Sequence, residues 1–150
     1  MVKTLKVTLV LALLFFLYLI YTHFTYEFYY TNGEKDGDVV TSPNEAYSAQ
    51  VYYQNYGGAA GGVNAFVNVV FHLEGDLERT VYFSDAKGRV QLNWLDNDLL
   101  SITNFDEYGD RSIELVVENE IYDEDGGACD TYKIKQNYVC FSREHVKNGS

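Results

Sequence analysis

The sequence predicts an all-β domain, an antiparallel meander closed as a small sandwich or barrel-like unit, preceded by one N-terminal transmembrane helix. Three observations predict it. The 150 residues include 14 Tyr and 9 Phe but a single Pro, and aromatic residues favour the pleated, half-buried surface of strands. From Tyr47 onward, apolar side chains recur at every second position between turn-forming clusters, the period of a strand with one buried face. Before Glu27 the only charged side chains are Lys3 and Lys6.

The N-terminal element is read first. Val7–Thr22 is strongly apolar, and no charge falls between Lys6 and Glu27. A helix needs ~20 residues to cross a hydrocarbon core of ~30 Å, so the flanks must help. Tyr18, Tyr21, Phe24, Tyr26, Tyr29 and Tyr30 suit an aromatic belt at the outer interface. Lys3 and Lys6 before the run, with acids after it, put the N-terminus in the cytoplasm and the rest outside. A cleaved signal peptide needs a small-x-small site, whereas Tyr21-Thr22-His23-Phe24-Thr25-Tyr26 is bulky, and no Cys ends the run to take a lipid. Residues 1–26 are therefore expected as a cytoplasmic tip and uncleaved signal anchor, making a single-pass protein of the cell membrane.

Residues 27–40 read as a polar linker, because Thr31–Asp38 holds two Gly and no apolar period. Residues 41–150 read as the extracytoplasmic β domain. After the turn at Ser42-Pro43-Asn44, Tyr47, Ala49, Val51 and Tyr53 share one face. Val63, Ala65, Val67, Val69, Phe71 and Leu73 share the next, opposite a mixed face with Asn64, Phe66, Asn68, Val70 and His72. Shorter strands follow at Thr80–Ser84, Val90–Leu95, Leu99–Asn104 and Arg111–Glu118, separated by turns at 85–88, 96–98 and 106–110.

Charge narrows the partners. The net formal charge is −11, and all 22 acidic residues stand at or after Glu27. Such a domain repels phosphate backbones, which argues against nucleic acid, and attracts basic partners. Cys129 and Cys140 are the only cysteines. An even count in an exported domain predicts a disulfide, with Lys135-Gln136-Asn137 free to turn a hairpin between them.

No catalytic constellation stands out. His23, His72 and His145 are the only histidines, and no Ser lies in a nucleophile elbow. Asp123–Gly127 resembles part of a calcium loop, but Ile121 and Tyr132 occupy its first and last ligand positions. A looser Ca²⁺ site at Asp123, Asp125 and Asp130 and a solvated acidic loop are both compatible with it. No cofactor or metal is expected. The run Gly57–Gly62 lacks the Lys-Ser/Thr ending of a phosphate loop. Beside Tyr52, Tyr53 and Tyr56, its Gly57, Gly58, Gly61 and Gly62 could let a sugar or peptide approach aromatic faces. The same glycines could instead serve only the turn.

Ser42-Pro43-Asn44-x-x-Tyr47, Tyr56-Gly57-Gly58-Ala59-Ala60-Gly61-Gly62-Val63, Tyr82-Phe83-Ser84-Asp85-Ala86, Trp94-x-Asp96 and Arg111-Ser112-Ile113-Glu114-Leu115 together resemble a family of small uncharacterised cell-envelope proteins of spore-forming Gram-positive bacteria, a domain of unknown function. The resemblance covers roughly residues 38–142. It implies an outward-facing envelope protein with an N-terminal membrane segment and brings no activity or functional residues. This chain lacks the lipid-bearing Cys of some members.

The expected function is thus a non-enzymatic binding or interaction module of the envelope, with another envelope protein or a basic molecule as partner. Two alternatives accompany it: a structural or stress-related envelope protein without a ligand, and a Ca²⁺-dependent or carboxylate-based hydrolase.

Overall fold

The computed structural model describes residues 2–146. Met1 and the last four residues of the expected β domain lie outside the described residues. Helix α1 spans Val2–Thr25. Its segment Lys6–Thr25 is long and apolar enough to cross a membrane, and none of it is buried inside the protein, so α1 is not a core helix.

The folded body is a six-stranded sheet with a smaller sheet laid on one face. Strand β1 is Glu34–Thr41, β2 Tyr47–Tyr56, β3 Gly62–Phe71 and β4 Leu77–Asp85. These four pair antiparallel in sequence order. The chain then leaves the sheet to form β5 (Gln91–Trp94), β6 (Leu99–Thr103), the two-residue hairpin strands β7 (Phe105–Asp106) and β8 (Gly109–Asp110), and β9 (Ile113–Val116). Strands β5, β6 and β9 make the second sheet. The core lies between the sheets. Ala49, Val51, Val67, Val69 and Tyr82 of the large sheet meet Leu100, Ile102 and Leu115 of the small one, all buried. Apart from Tyr82, these side chains stand on the period-two faces read from the sequence. Each Val, Leu and Ile among them contributes roughly 1.5–3 kcal/mol by leaving water.

The all-β, closed expectation is corrected. The fold is mixed α/β with 26% helix, and its sheet combines parallel and antiparallel pairs without closing into a barrel. Strand β10 (Glu120–Asp123) returns parallel to β4, and β11 (Val139–Phe141) lies parallel to β10. A parallel neighbour needs a crossover, which a tight turn cannot supply. Here the crossover contains a 3₁₀ turn, Ala128–Asp130, and helix α2, Tyr132–Asn137. The hairpin expected between the cysteines is therefore a helix. Ile134 and Tyr138 stand four residues apart, one helical turn, and both pack into a second apolar cluster with Phe28, Ile121 and Ala128. A short helix α3, Arg143–Val146, follows β11.

The stretch expected as a polar linker is folded onto the sheet. Strand β1 is an edge strand, bulged between Asp36 and Val40, where Gly37 takes a positive φ of 69°. A charged, bulged edge resists pairing with other chains. Residues 26–33 cross the outer face of the large sheet, and Phe28 is buried there.

The disulfide Cys129–Cys140, with Cα atoms 5.2 Å apart, ties the 3₁₀ turn to β11 and encloses α2. Reduction, or the double substitution Cys129→Ser with Cys140→Ser, is expected to lower the unfolding free energy by about 2–3 kcal/mol. Urea titration with and without reductant reads this. Identical midpoints would refute it.

Glu124 locks the return of β10. Ser84 Oγ and the Asp85 N–H each donate to its Oε2 at 2.8 Å, and Arg111 Nε donates to its Oε1 at 2.5 Å. Burial pushes the carboxyl pKa up, but the Arg111 bond, with those from Asp85 and Ser84, outweighs this and holds it below the ordinary value of 4.5. A carboxylate depressed on folding stabilises the fold fully above its unfolded pKa, and the gain fades as pH falls through the folded value. Glu124→Gln is expected to cost about 3 kcal/mol at pH 7 by stranding a buried guanidinium. The gap from wild type should narrow below pH 4.5, as urea titrations at pH 7 and in acid would register. A gap unchanged by pH would contradict the assignment.

Candidate functional site

The aromatic and glycine-rich surface expected at Tyr52–Gly62 does not assemble as one site. Successive residues of β2 point to opposite faces. Tyr52 lies on the outer face, stacked on Phe66 with centroids 5.0 Å apart and planes 4° apart. Tyr53 points inward, where its hydroxyl accepts the Val90 N–H at 2.7 Å. Only Tyr56, 46% exposed, joins the glycines. With Asn55 and Val63, Tyr56, Gly57, Gly58, Gly61 and Gly62 line a shallow recess of about 290 Å³.

Backbone geometry accounts for those glycines. Gly57 and Gly58 have φ of 77° and 62°, a region that L side chains seldom adopt. A Cβ on Gly61 would fall 1.5 Å from the Tyr56 carbonyl oxygen, and one on Gly62 would strike the Tyr56 ring. The run makes a turn too tight for side chains.

A larger cavity lies where the membrane helix meets the body. A half-open recess of about 790 Å³ is lined by the strap after α1 (Tyr26–Tyr29), the β3–β4 turn and start of β4 (Glu74–Thr80), Ile121 of β10, and Lys133, Ile134 and Tyr138 of the α2 region. The strap is clipped to the sheet by a buried polar pair. Asn68 donates from Nδ2 to the Tyr30 carbonyl at 2.9 Å, and the Tyr30 N–H donates to Thr80 Oγ1 at 2.8 Å. Thr80 in turn donates to Asn68 Oδ1 at 2.7 Å. The Tyr30 ring stacks on Phe83 at 4.2 Å, and burial pushes its hydroxyl pKa up. Tyr26 and Tyr30, expected in an aromatic belt, thus face protein. Phe24, near the end of α1, packs on Tyr132 at 4.8 Å, and Lys133 Nζ reaches Glu27 at 3.0 Å.

The cavity's chemistry is mixed. Phe28, Ile121 and Ile134 are buried apolar walls, and Leu77 is 47% exposed at the opening. Four carboxylates line it, Glu27, Glu74, Asp76 and Glu78, against two cations, Arg79 and Lys133. Both cations are already paired, Arg79 with Glu74 and Lys133 with Glu27. Glu78 instead accepts from Tyr29 Oη at 3.3 Å and Asn68 Nδ2 at 3.0 Å. Sequence reasoning missed this site because its walls come from the supposed linker and from the helix taken for a hairpin. One signal was present: Asn68 and Thr80 interrupt apolar strands, and a buried amide needs partners.

The other candidates sit elsewhere. Asp123 Oδ2 accepts the Ala128 N–H at 2.7 Å, and Asp130 pairs with Lys135 at 3.8 Å. Burial raises the Asp123 pKa. Among the described residues, no group of three or more His, Cys, Asp or Glu side chains is placed to hold a metal ion. His72, read as a solvent-facing strand residue, bridges Ser48 and Asp76 at 2.8 and 2.7 Å in the turn after β3.

A model of a family of unknown function (DUF5412) matches residues 1–127, a span that includes α1, the strap and strands β1–β10. No curated protein and no solved structure matches the chain.

The polar clip yields a prediction. Asn68→Ala removes a partner from both the Tyr30 carbonyl and Thr80. It is expected to destabilise the body by about 1–3 kcal/mol and to speed exchange of the Tyr30 amide. Denaturant titration with hydrogen exchange measures both. An unchanged Tyr30 exchange rate would show that the clip does not hold the strap.

Proposed function

We propose a function for this chain, which belongs to the family of unknown function DUF5412: it is a non-enzymatic binding module, anchored by α1 in a bacterial cell membrane and working outside the cytoplasm. One observation carries the reading. The larger of the two recesses described lies at the junction of the apolar helix and the sheet, and the strap that directly continues the anchoring helix forms one of its walls. The resemblance to envelope proteins of spore-forming Gram-positive bacteria and the two lysines in the first turns of α1, Lys3 and Lys6, support export of the body. So does the disulfide, because such bonds persist in oxidising compartments. The acid excess disfavours nucleic acid and favours a ligand or envelope partner with positive charge.

Anchoring explains how a modest site suffices. A tether confines the module near the bilayer, where effective concentration replaces affinity. The acidic lining selects by charge, and the apolar walls supply the binding energy.

Two measurements test this. A C-terminal alkaline phosphatase fusion is expected to be active and a C-terminal green fluorescent fusion dark; the reverse would overturn the topology. A benzophenone amino acid in place of Leu77 is expected to crosslink in cells. The same group at Tyr108, 83% exposed on the β7–β8 turn, is not. Equal labelling at both positions, or none at Leu77, would remove the binding reading.

A further inference from the structure

Resting on that reading, we infer that the junction cavity takes an ammonium-bearing phospholipid from the bilayer that holds α1. The first argument is position. The headgroup layer is roughly 5–8 Å deep on each side of the hydrocarbon core. Helix α1 ends at Thr25, and the cavity lining begins at Tyr26. With the apolar segment across the bilayer, the cavity therefore stands at the level of the lipid head groups.

The second argument is the order of chemistry within the cavity. Phe28, Ile121 and Ile134 form a buried apolar wall, suited to the upper part of an acyl chain. Glu78 has no cationic partner among the described residues; its bonds come from the neutral Tyr29 and Tyr52 hydroxyls and the Asn68 amide. Its carboxylate, beside the half-exposed Tyr29 ring, offers an ammonium group both a counter-charge and a π face. Lys133, held by a half-exposed ion pair with Glu27, can turn toward a phosphate at little cost, since such pairs are weak; Arg79, paired with Glu74 and lying over the Phe71 ring, is the second cation at the site. The lining keeps two more carboxylates than cations, which opposes a lipid whose only charge is negative. A zwitterion with a terminal ammonium satisfies both signs.

The test uses the full chain in nanodiscs of equal phosphatidylethanolamine and phosphatidylglycerol with matched acyl chains, released and weighed by native mass spectrometry. Wild type is expected to retain the ethanolamine lipid ~10-fold over the glycerol lipid, the scale of one favourable ammonium–aromatic and charge contact. Glu78→Gln, which keeps an acceptor for Tyr29 and Asn68, is expected to lose the preference while still carrying lipid. Leu77→Arg is expected to lose the retained lipid, and circular dichroism checks that both variants fold. Equal retention of the two lipids by wild type, or an unchanged preference in Glu78→Gln, overturns the inference. If Leu77 crosslinks in cells but head-group preference is absent, only this inference falls and the binding module stands.

Discussion

The structure depends on a strap of a few residues being pinned across the outer face of the large sheet. Asn68 and Thr80 sit on neighbouring strands in the middle of that face, both buried. Thr80 donates to Asn68 Oδ1 and Glu78 accepts one Asn68 amide proton, which leaves the other amide proton and a lone pair of Thr80 unmatched. The backbone of Tyr30 supplies both missing partners. An unmatched group there would cost about 1–3 kcal/mol, so the strap has one favoured place to lie. Aromatic stacking extends the clip: Tyr30 lies on Phe83, and Gly33 passes so close to Phe66 that a Cβ would approach its ring to 2.7 Å. The membrane helix is thereby joined to the sheet without a loose stalk.

That constraint explains the outer face. The inner face is covered by β5, β6 and β9, a sheet made from the same chain. The outer face has no such partner, and its cover is assembled from pieces distant in sequence: the strap from the beginning and α2 from the end. The disulfide closes the second piece against β11. The family match ends at residue 127, before Cys129, so the strap and strands β1–β10 belong to the matched segment, while β11 and the disulfide-closed cover lie beyond it.

The same asymmetry governs what could be read from the sequence. Strands with one face in the core announce themselves, because burial imposes a strict period of two. Val63 to Phe71, Leu100 with Ile102, and Ile113 with Leu115 were legible for that reason. Strand β1 was not, because an edge strand with both faces exposed carries Glu34, Lys35, Asp36 and Asp38 with no apolar period. Helix α2 was not, because Tyr132, Ile134 and Tyr138 fit a strand period and a helical turn equally over so short a span. The parallel return of β10 is set by packing between remote residues, such as Glu124 with Arg111 and Ser84, which no local pattern encodes. The aromatic cluster at Tyr52–Tyr56 was legible as composition but not as a surface, since alternation along β2 sends Tyr52 and Tyr53 to opposite sides.

The two recesses lie at opposite ends of β3, and this separation divides their roles. Ten residues of strand at ~3.3 Å each put the glycine turn about 30 Å along the strand from the cavity at the junction. The cavity end is held by the strap beside the helix that is long and apolar enough to cross a membrane. The turn at the other end carries only a shallow recess, and its four glycines are each required by φ or by a close approach to Tyr56. A site needs side chains that converge, and there the backbone has excluded them. The junction gathers apolar walls, a carboxylate with no cationic partner among the described residues, and two cations around one half-open space. The physical case for binding therefore rests on the end nearest the anchor.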